Sequence, residues 1–307
     1  MKTLILAAAV LLCSVNLHAQ NQTILSENIK ITVENEVSMN SKNSEFGVNE
    51  FMGKFCFTTN RNQFDRRNKF LGEAAYNLMT FDDKKNYRKV YPFEAVKGKT
   101  NVGSVSQVIN GRFYFTAENN KADYNLKEAT MTRSMIIYEA VWTKGKWKVN
   151  PLKIIKDKHY SYIHHTISKD GKTMYFASDI PGGFGGMDLY VSHLTEKGWS
   201  EPENLGENIN TAENELFPFI HSSGRLVFSS NGHQGFGGMD LYVTIKTNDD
   251  WISPENMGSP INTPANDFSM YVNSDFTEGY FSSNREGGMG SDDTVSYTHL
   301  RAHETTS

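Results

Sequence analysis

The sequence predicts an all-β fold, a β-propeller of about five visible four-stranded blades. Three observations predict it. First, the block Gly183-Phe184-Gly185-Gly186-Met187-Asp188-Leu189-Tyr190-Val191 returns as Gly235-Phe236-Gly237-Gly238-Met239-Asp240-Leu241-Tyr242-Val243, and Trp199 and Ile209 return as Trp251 and Ile261, always 52 residues later. Second, each period holds four short apolar runs separated by turn residues, the content of one propeller blade. Third, strand patterns dominate from Phe51 onward, and no convincing amphipathic helix competes with them.

In chain order, residues 1–19 read as a signal peptide. Lys2 supplies the positive start, Leu4 to Val15 the apolar stretch, and Leu17-His18-Ala19 a cleavage site. Cys13 lies inside that stretch behind Leu12, a poor setting for lipidation. Residues 20–45 read as a polar leader with an alternating run at Ile29 to Val33 that can pair as an edge strand. The propeller is assigned to 46–293. Asn68 to Met79 is the best helical candidate, weakened by Gly72. Gly53 to Arg61 and Gly111 to Thr116 open two divergent units, the second with an insertion around Lys121 to Thr132. The units after Asp170-Gly171 and Gly224-Arg225 are the well-preserved ones, and a further copy starts at Gly279-Tyr280-Phe281. An Asp-Gly pair supplies the positive φ of a tight hairpin turn before an apolar strand. Six or seven blades are expected of the intact protein.

The stretch Ser168-Lys169-Asp170-Gly171-Lys172-Thr173-Met174-Tyr175-Phe176-Ala177-Ser178 resembles the WD-like repeat of the TolB-type β-propellers, with Lys169 where that family often has proline. The Gly-Gly-x-Gly-Gly-x-Asp-Leu-Tyr and Trp-Ser-x-Pro-x-Asn-Leu-Gly blocks are similar to a narrower subgroup in exported proteins of gram-negative bacteria. Members of that subgroup often precede an OmpA-like peptidoglycan-binding domain, and some belong to type IX secretion and gliding machinery. The resemblance spans about 110–300 and implies a fold and an envelope location rather than a reaction. Residues 294–307 depart from the repeat and resemble translated sequencing-adapter read-through. They are read as a non-native tail, so the natural chain is expected to continue past Asp293, and His299 and His303 are set aside as metal ligands.

The formal net charge of −4 gives no reason to expect nucleic acid binding. No later segment is apolar enough to span a membrane after signal cleavage. With Cys13 in the signal, Cys56 has no partner for an internal disulfide and reads as a buried thiol between Phe55 and Phe57. The glycine-rich loops join strand to strand, so they lack the helix N-terminus that phosphate binding needs. Calcium repeats of similar composition recur every nine residues, whereas these recur every 52. Glycine instead allows positive φ and close backbone approach, and Asp188 and Asp240 lock the turns. Trp199 and Trp251 could stack on a sugar but fit better as packing between blades. Adjacent residues on a strand point to opposite faces, which argues against a metal site from His164-His165. Arg61, Arg66, Arg67 and Lys69, with Lys84, Lys85, Arg88 and Lys89, read as a solvated basic face or a contact for an acidic partner.

No catalytic signature, metal site or cofactor site is assigned. Trp199, Trp251, Asp188 and Asp240 are the candidate binding residues, with a structural role preferred for each. The expected function is a non-catalytic scaffold, periplasmic or outer-membrane associated, with envelope proteins or peptidoglycan-linked components as partners. The alternatives are a glycan-active propeller enzyme and the propeller domain of a serine peptidase.

Overall fold

The computed structural model describes residues 29–61, 76–80, 88–89, 101–106, 108–119, 134–157, 159–248 and 250–301. The signal segment, Cys13, the 121–132 insertion, Arg66, Arg67, Lys69, Lys84, Lys85 and His303 lie outside them. No helix occurs among the described residues, so none is long and apolar enough to cross a membrane.

Five antiparallel sheets form five blades. Strand β1 (Ile29–Asn35) belongs to the last of them. The first blade is β2 (Glu45–Phe51), β3 (Lys54–Thr59), β4 (Asn77–Thr80) and β5 (Arg88–Lys89). The second is β6 (Gly103–Val105), β7 (Arg112–Glu118), β8 (Met135–Thr143) and β9 (Lys146–Pro151). The third is β10 (Tyr162–Ile167), β11 (Thr173–Ser178) and β12 (Asp188–Thr195), edged by β13 (Gly198–Trp199) and β14 (Glu203–Asn204). The fourth is β15 (Glu215–Ile220), β16 (Arg225–Ser230) and β17 (Asp240–Thr247), edged by β18 (Asp250–Trp251) and β19 (Glu255–Asn256). The fifth is β20 (Asp267–Val272), β21 (Glu278–Ser283) and β22 (Asp293–Arg301), with β1 as its outer strand. In that pairing Ile31 faces His299 and Val33 faces Tyr297. β2 packs against β20, so this chain closes a ring with five blades.

The helix suggested over Asn68 to Met79 is corrected here. Residues 77–80 form β4, paired to β3 with Met79 opposite Phe57 and Leu78 opposite Thr58, while 68–75 lie outside the described residues. Burying Leu78 and Met79 against a sheet outweighs helix propensity in so short a run.

The same contact joins one blade to the next along the preserved units. The carboxylate of Asp188 accepts the amides of Phe184 at 2.6 Å and Gly185 at 3.1 Å, closing the glycine-rich loop. That loop lies against the segment leading into β15. Gly186 N donates to Glu213 O at 2.7 Å, and Glu215 N donates to Met187 O at 2.7 Å. A methyl group on Gly185 would sit 2.4 Å from the carbonyl oxygens of Thr211 and Glu213. One blade on, the same methyl on Gly237 would sit 2.2 Å from Ala265 O and 2.6 Å from Thr263 O. Of these loop glycines only Gly182 has a positive φ, 96°, so close approach rather than backbone freedom explains the rest.

A second repeated device ties each outer segment to its blade. Asn210 clamps the backbone of Leu189, accepting from its N–H at 2.7 Å and donating to its C=O at 3.0 Å, and also donates to Asn204 Oδ1. Asn262 does the same to Leu241, and Asn40 the same to Thr294. The stretch read as a leader thus carries, in 35–45, a copy of the segment that elsewhere links blades. Its Asn40, Ser41 and Glu45 match Asn210, Thr211 and Glu215 in their bonds.

Trp199 and Trp251 pack between blades. Trp199 meets Tyr114 of the second blade edge to face, ring centres 5.7 Å apart, and its indole N–H donates to the Tyr114 hydroxyl at 3.1 Å. Trp251 meets Tyr175 of the third blade the same way at 5.9 Å.

Replacing Gly237 with alanine forces backbone against backbone, so it is expected to cost about 1–3 kcal/mol in chemical denaturation. Gly103→Ala, where an added methyl meets nothing within 4 Å, is expected to leave stability within about 0.5 kcal/mol. Equal stability of the two variants would contradict the close-approach reading.

Candidate functional site at the hub

The inner strands line the axis of the ring. Each breaks its pairing register near the middle: between Phe46 and Asn49, Gly103 and Val105, Ile163 and Thr166, Leu216 and Phe219, and Phe268 and Tyr271. A bulge of this kind interrupts the alternation of side chains and re-aims the residues within it. Four of the bulges hold a residue with positive φ: Gly47 at 69°, His164 at 51°, Phe217 at 51° and Ser269 at 56°. A phenylalanine in that region is a strained choice, which the surrounding ring must hold in place.

These bulges enclose a cavity of about 370 Å³, counting its open mouth. Its wall is Gly47, Val48 and Asn49 from β2, Ser104 from β6, and His164, His165 and Thr166 from β10. Phe217, Pro218 and Phe219 from β15, with Ser269 and Met270 from β20, complete it. Phe217 reaches across the axis. Its ring stacks on His164 with centres 3.5 Å apart, and it contacts Phe268 at 5.2 Å and Phe46 at 6.2 Å. Aromatic side chains from four blades therefore close the strand-start side of the hub.

Among the described residues the wall contains no Asp, Glu, Lys or Arg. Its polar groups are hydroxyls, an amide and two imidazoles. His165 is buried, with Nδ1 3.3 Å from the Thr116 hydroxyl. His165 Nε2 and His164 Nδ1 are buried without a hydrogen-bond partner. Burial pulls both rings far below their ordinary value of 6.5, His164 to about 3 and His165 to about 4, and the adjacent imidazole lowers His164 further. Both stay neutral through the physiological range.

His164 and His165 turn toward different neighbours, as strand alternation predicts: the His164 ring stacks on Phe217 of the fourth blade and His165 Nδ1 lies 3.3 Å from the Thr116 hydroxyl of the second, while both line the cavity. Pro218 is tolerated in β15 because that strand is the inner edge of its sheet, paired only to β16. The nearby His159 stands apart, exposed and 2.6 Å from Asp157. The reading of Arg61 as part of a solvated basic face is corrected by this geometry. Arg61 is turned inward and pairs with buried Glu45 at 2.8 Å.

Asp188, Asp240, Trp199 and Trp251 lie outside the cavity wall. Asp188 bonds its own loop and Asn204 Nδ2 at 2.8 Å, and Asp240 Oδ2 takes the amides of Phe236 and Gly237. Among the described residues no group of three or more His, Cys, Asp or Glu could hold a metal ion. Cys56 is buried, with its thiol pushed up to about 12 by desolvation, which makes it inert as a nucleophile.

No protein-family profile matches the sequence. No curated protein matches it either. Among solved structures the chain is similar to TolB from Acinetobacter baumannii, at TM-score 0.45 and 11% identity, covering 84% of this chain and 55% of that one. It is also similar to a gluconolactonase from Xanthomonas campestris, at TM-score 0.48 and 9% identity, covering 88% and 90%. An alpha-L-arabinofuranosidase from Lactobacillus brevis is similar at TM-score 0.48 and 11% identity, covering 86% and 92%. These are likenesses of fold.

Because the folded histidines hold protons less well than the unfolded chain, their contribution to stability is full above pH about 6.5. It falls as the pH drops toward about 4 for His165 and about 3 for His164. Between pH 6 and 4.5 the wild type is expected to lose more stability than His165→Gln, by about 1 kcal/mol per pH unit. Parallel stability–pH curves for the two proteins would show that His165 is not held neutral in the fold.

Proposed function

We propose that the protein is a non-catalytic binding scaffold of the gram-negative cell envelope, periplasmic or associated with the outer membrane. It engages envelope proteins or peptidoglycan-linked components through loops at one end of the propeller. One observation carries the non-catalytic part: among the described residues, the cavity where the five inner strands meet has no ionisable acid on its wall. Hydrolysis of a glycosidic bond ordinarily uses two carboxylates, roughly 5–9.5 Å apart, on either side of the scissile bond. The buried carboxylates at the starts of the inner strands serve the frame instead. Glu215 is held by Thr211 and Ser230, and Asp267 by Thr263, Ser283 and Arg285.

The two imidazoles do not supply the missing acid. Held neutral, and with Phe217 stacked over His164, they can accept or donate a hydrogen bond but cannot protonate a leaving group near pH 7. The envelope setting rests on the apolar N-terminal stretch and on the resemblance of the repeat blocks to TolB-type propellers. Repeat architectures of this kind build surfaces from equivalent loops, which suits a scaffold.

The purified chain is expected to show no turnover of aryl glycosides, peptidoglycan fragments or peptide anilides, while chemical crosslinking in envelope fractions joins it to a defined partner. Turnover of any of these substrates that disappears in His164→Ala would sink the scaffold reading.

A further inference from the structure

The end of the ring that carries the glycine-rich loops presents apolar side chains at one repeated position. Phe184, Phe236 and Met289 occupy the same place in the loops of the third, fourth and fifth blades, spaced 52 and 53 residues apart. They are 49%, 55% and 49% exposed. Val37, 67% exposed, lies in the 36–44 segment at the same end. Among the described residues the other large exposed hydrophobics, Met52 and Trp142, sit at hairpins of the opposite end. A single exposed apolar side chain is ordinary on a protein surface, but three at one repeated loop position form a pattern.

These knobs stand on rigid ground. The backbone N–H of each donates to an aspartate at the end of its own loop: Phe184 to Asp188, Phe236 to Asp240 and Met289 to Asp293. A glycine on either side leaves each knob without a flanking side chain. A side chain mounted on a locked turn loses little freedom when a partner covers it.

The same loops are acidic. Asp179, Glu207, Glu213 and Glu286 are exposed there. The exposed lysines in the described loops of this end are Lys42, Lys153 and Lys156, the last paired with Glu201 at 2.7 Å, and Arg285 is turned inward onto Asp267. Building on the scaffold reading, we infer that this end docks a polypeptide segment that is both apolar and positively charged. Its apolar side chains cover the three knobs, and its lysines or arginines face the four carboxylates. An anionic lipid surface is the poorer fit, because those carboxylates would repel its phosphates.

A phage-displayed library of random dodecapeptides is the probe. It is selected on the full chain and counter-selected on the triple variant Phe184→Ser/Phe236→Ser/Met289→Ser, whose thermal midpoint is first shown to match wild type. Enriched peptides are expected to carry net positive charge and at least two large apolar residues. Synthesised, they are expected to bind the triple variant, and separately Glu207→Lys/Glu213→Lys, at least about tenfold more weakly, a difference of roughly 1.4 kcal/mol. Three results would overturn the inference: no enrichment over the triple variant, selection of acidic peptides, or preferential binding of the chain to phosphatidylglycerol vesicles. The scaffold reading fails on substrate turnover instead, so the two can fail independently.

Discussion

The ring depends on a close approach between backbones. In each preserved blade a glycine of the loop before the third strand lies against the carbonyls of the segment that leads into the next inner strand. Gly185 meets Thr211 and Glu213, and Gly237 meets Thr263 and Ala265. Any side chain there would collide with backbone, which cannot step aside as a flexible side chain can. Around this contact the other repeated residues take their places. An aspartate closes the loop from below, and an asparagine clamps the strand it leads into. A buried glutamate or aspartate at the start of the next inner strand binds the hydroxyls around it.

The same contact closes the circle. Gly290 approaches the carbonyls of Ser41 and Asn43, and Glu45 N donates to Asp292 O at 2.8 Å, as Glu215 N does to Met187 O and Asp267 N to Met239 O. The N-terminal stretch therefore serves the fifth blade as the 204–215 stretch serves the third. Because the frame is carried by loops and strand ends, the middles of the inner strands are free to differ. They do differ, as glycine, serine, histidine and phenylalanine at equivalent bulges. The hub is consequently individual where the frame is repetitive, and it carries neutral, hydrogen-bonding groups around an aromatic plug.

Much of the frame was legible from the 52-residue period, because the contacts that need a particular residue repeat with it. Trp199 and Trp251 read as inter-blade packing and pack so, and Asp188 and Asp240 read as turn locks and bond so. What stayed hidden has physical causes. The N-terminal copy of the linking segment has Asn35 and Asn40 five apart where Asn204 and Asn210 are six apart, and it precedes the blade it completes, so no fixed period reveals it. The bulges were hidden because the residues in them, Gly47, His164, Phe217 and Ser269, differ from blade to blade and leave no repeated mark. The glycines were assigned partly to positive φ, whereas only Gly182 among those of the third-blade loop uses it. The apolar row at Phe184, Phe236 and Met289 was visible as sequence but not as surface. Exposure is decided by what the neighbouring blade covers.

The central claim is that the seam between the fifth and first blades is held by the same contact as the joints between the others. Amide hydrogen exchange followed by NMR measures it directly. The Glu45 amide, bonded across the seam to Asp292, should be protected to within about tenfold of the Glu215 and Asp267 amides, since all three then open only with the ring. A Glu45 amide that exchanges as fast as those of exposed loops, while Glu215 and Asp267 remain protected, would show that the seam is open and contradict the account.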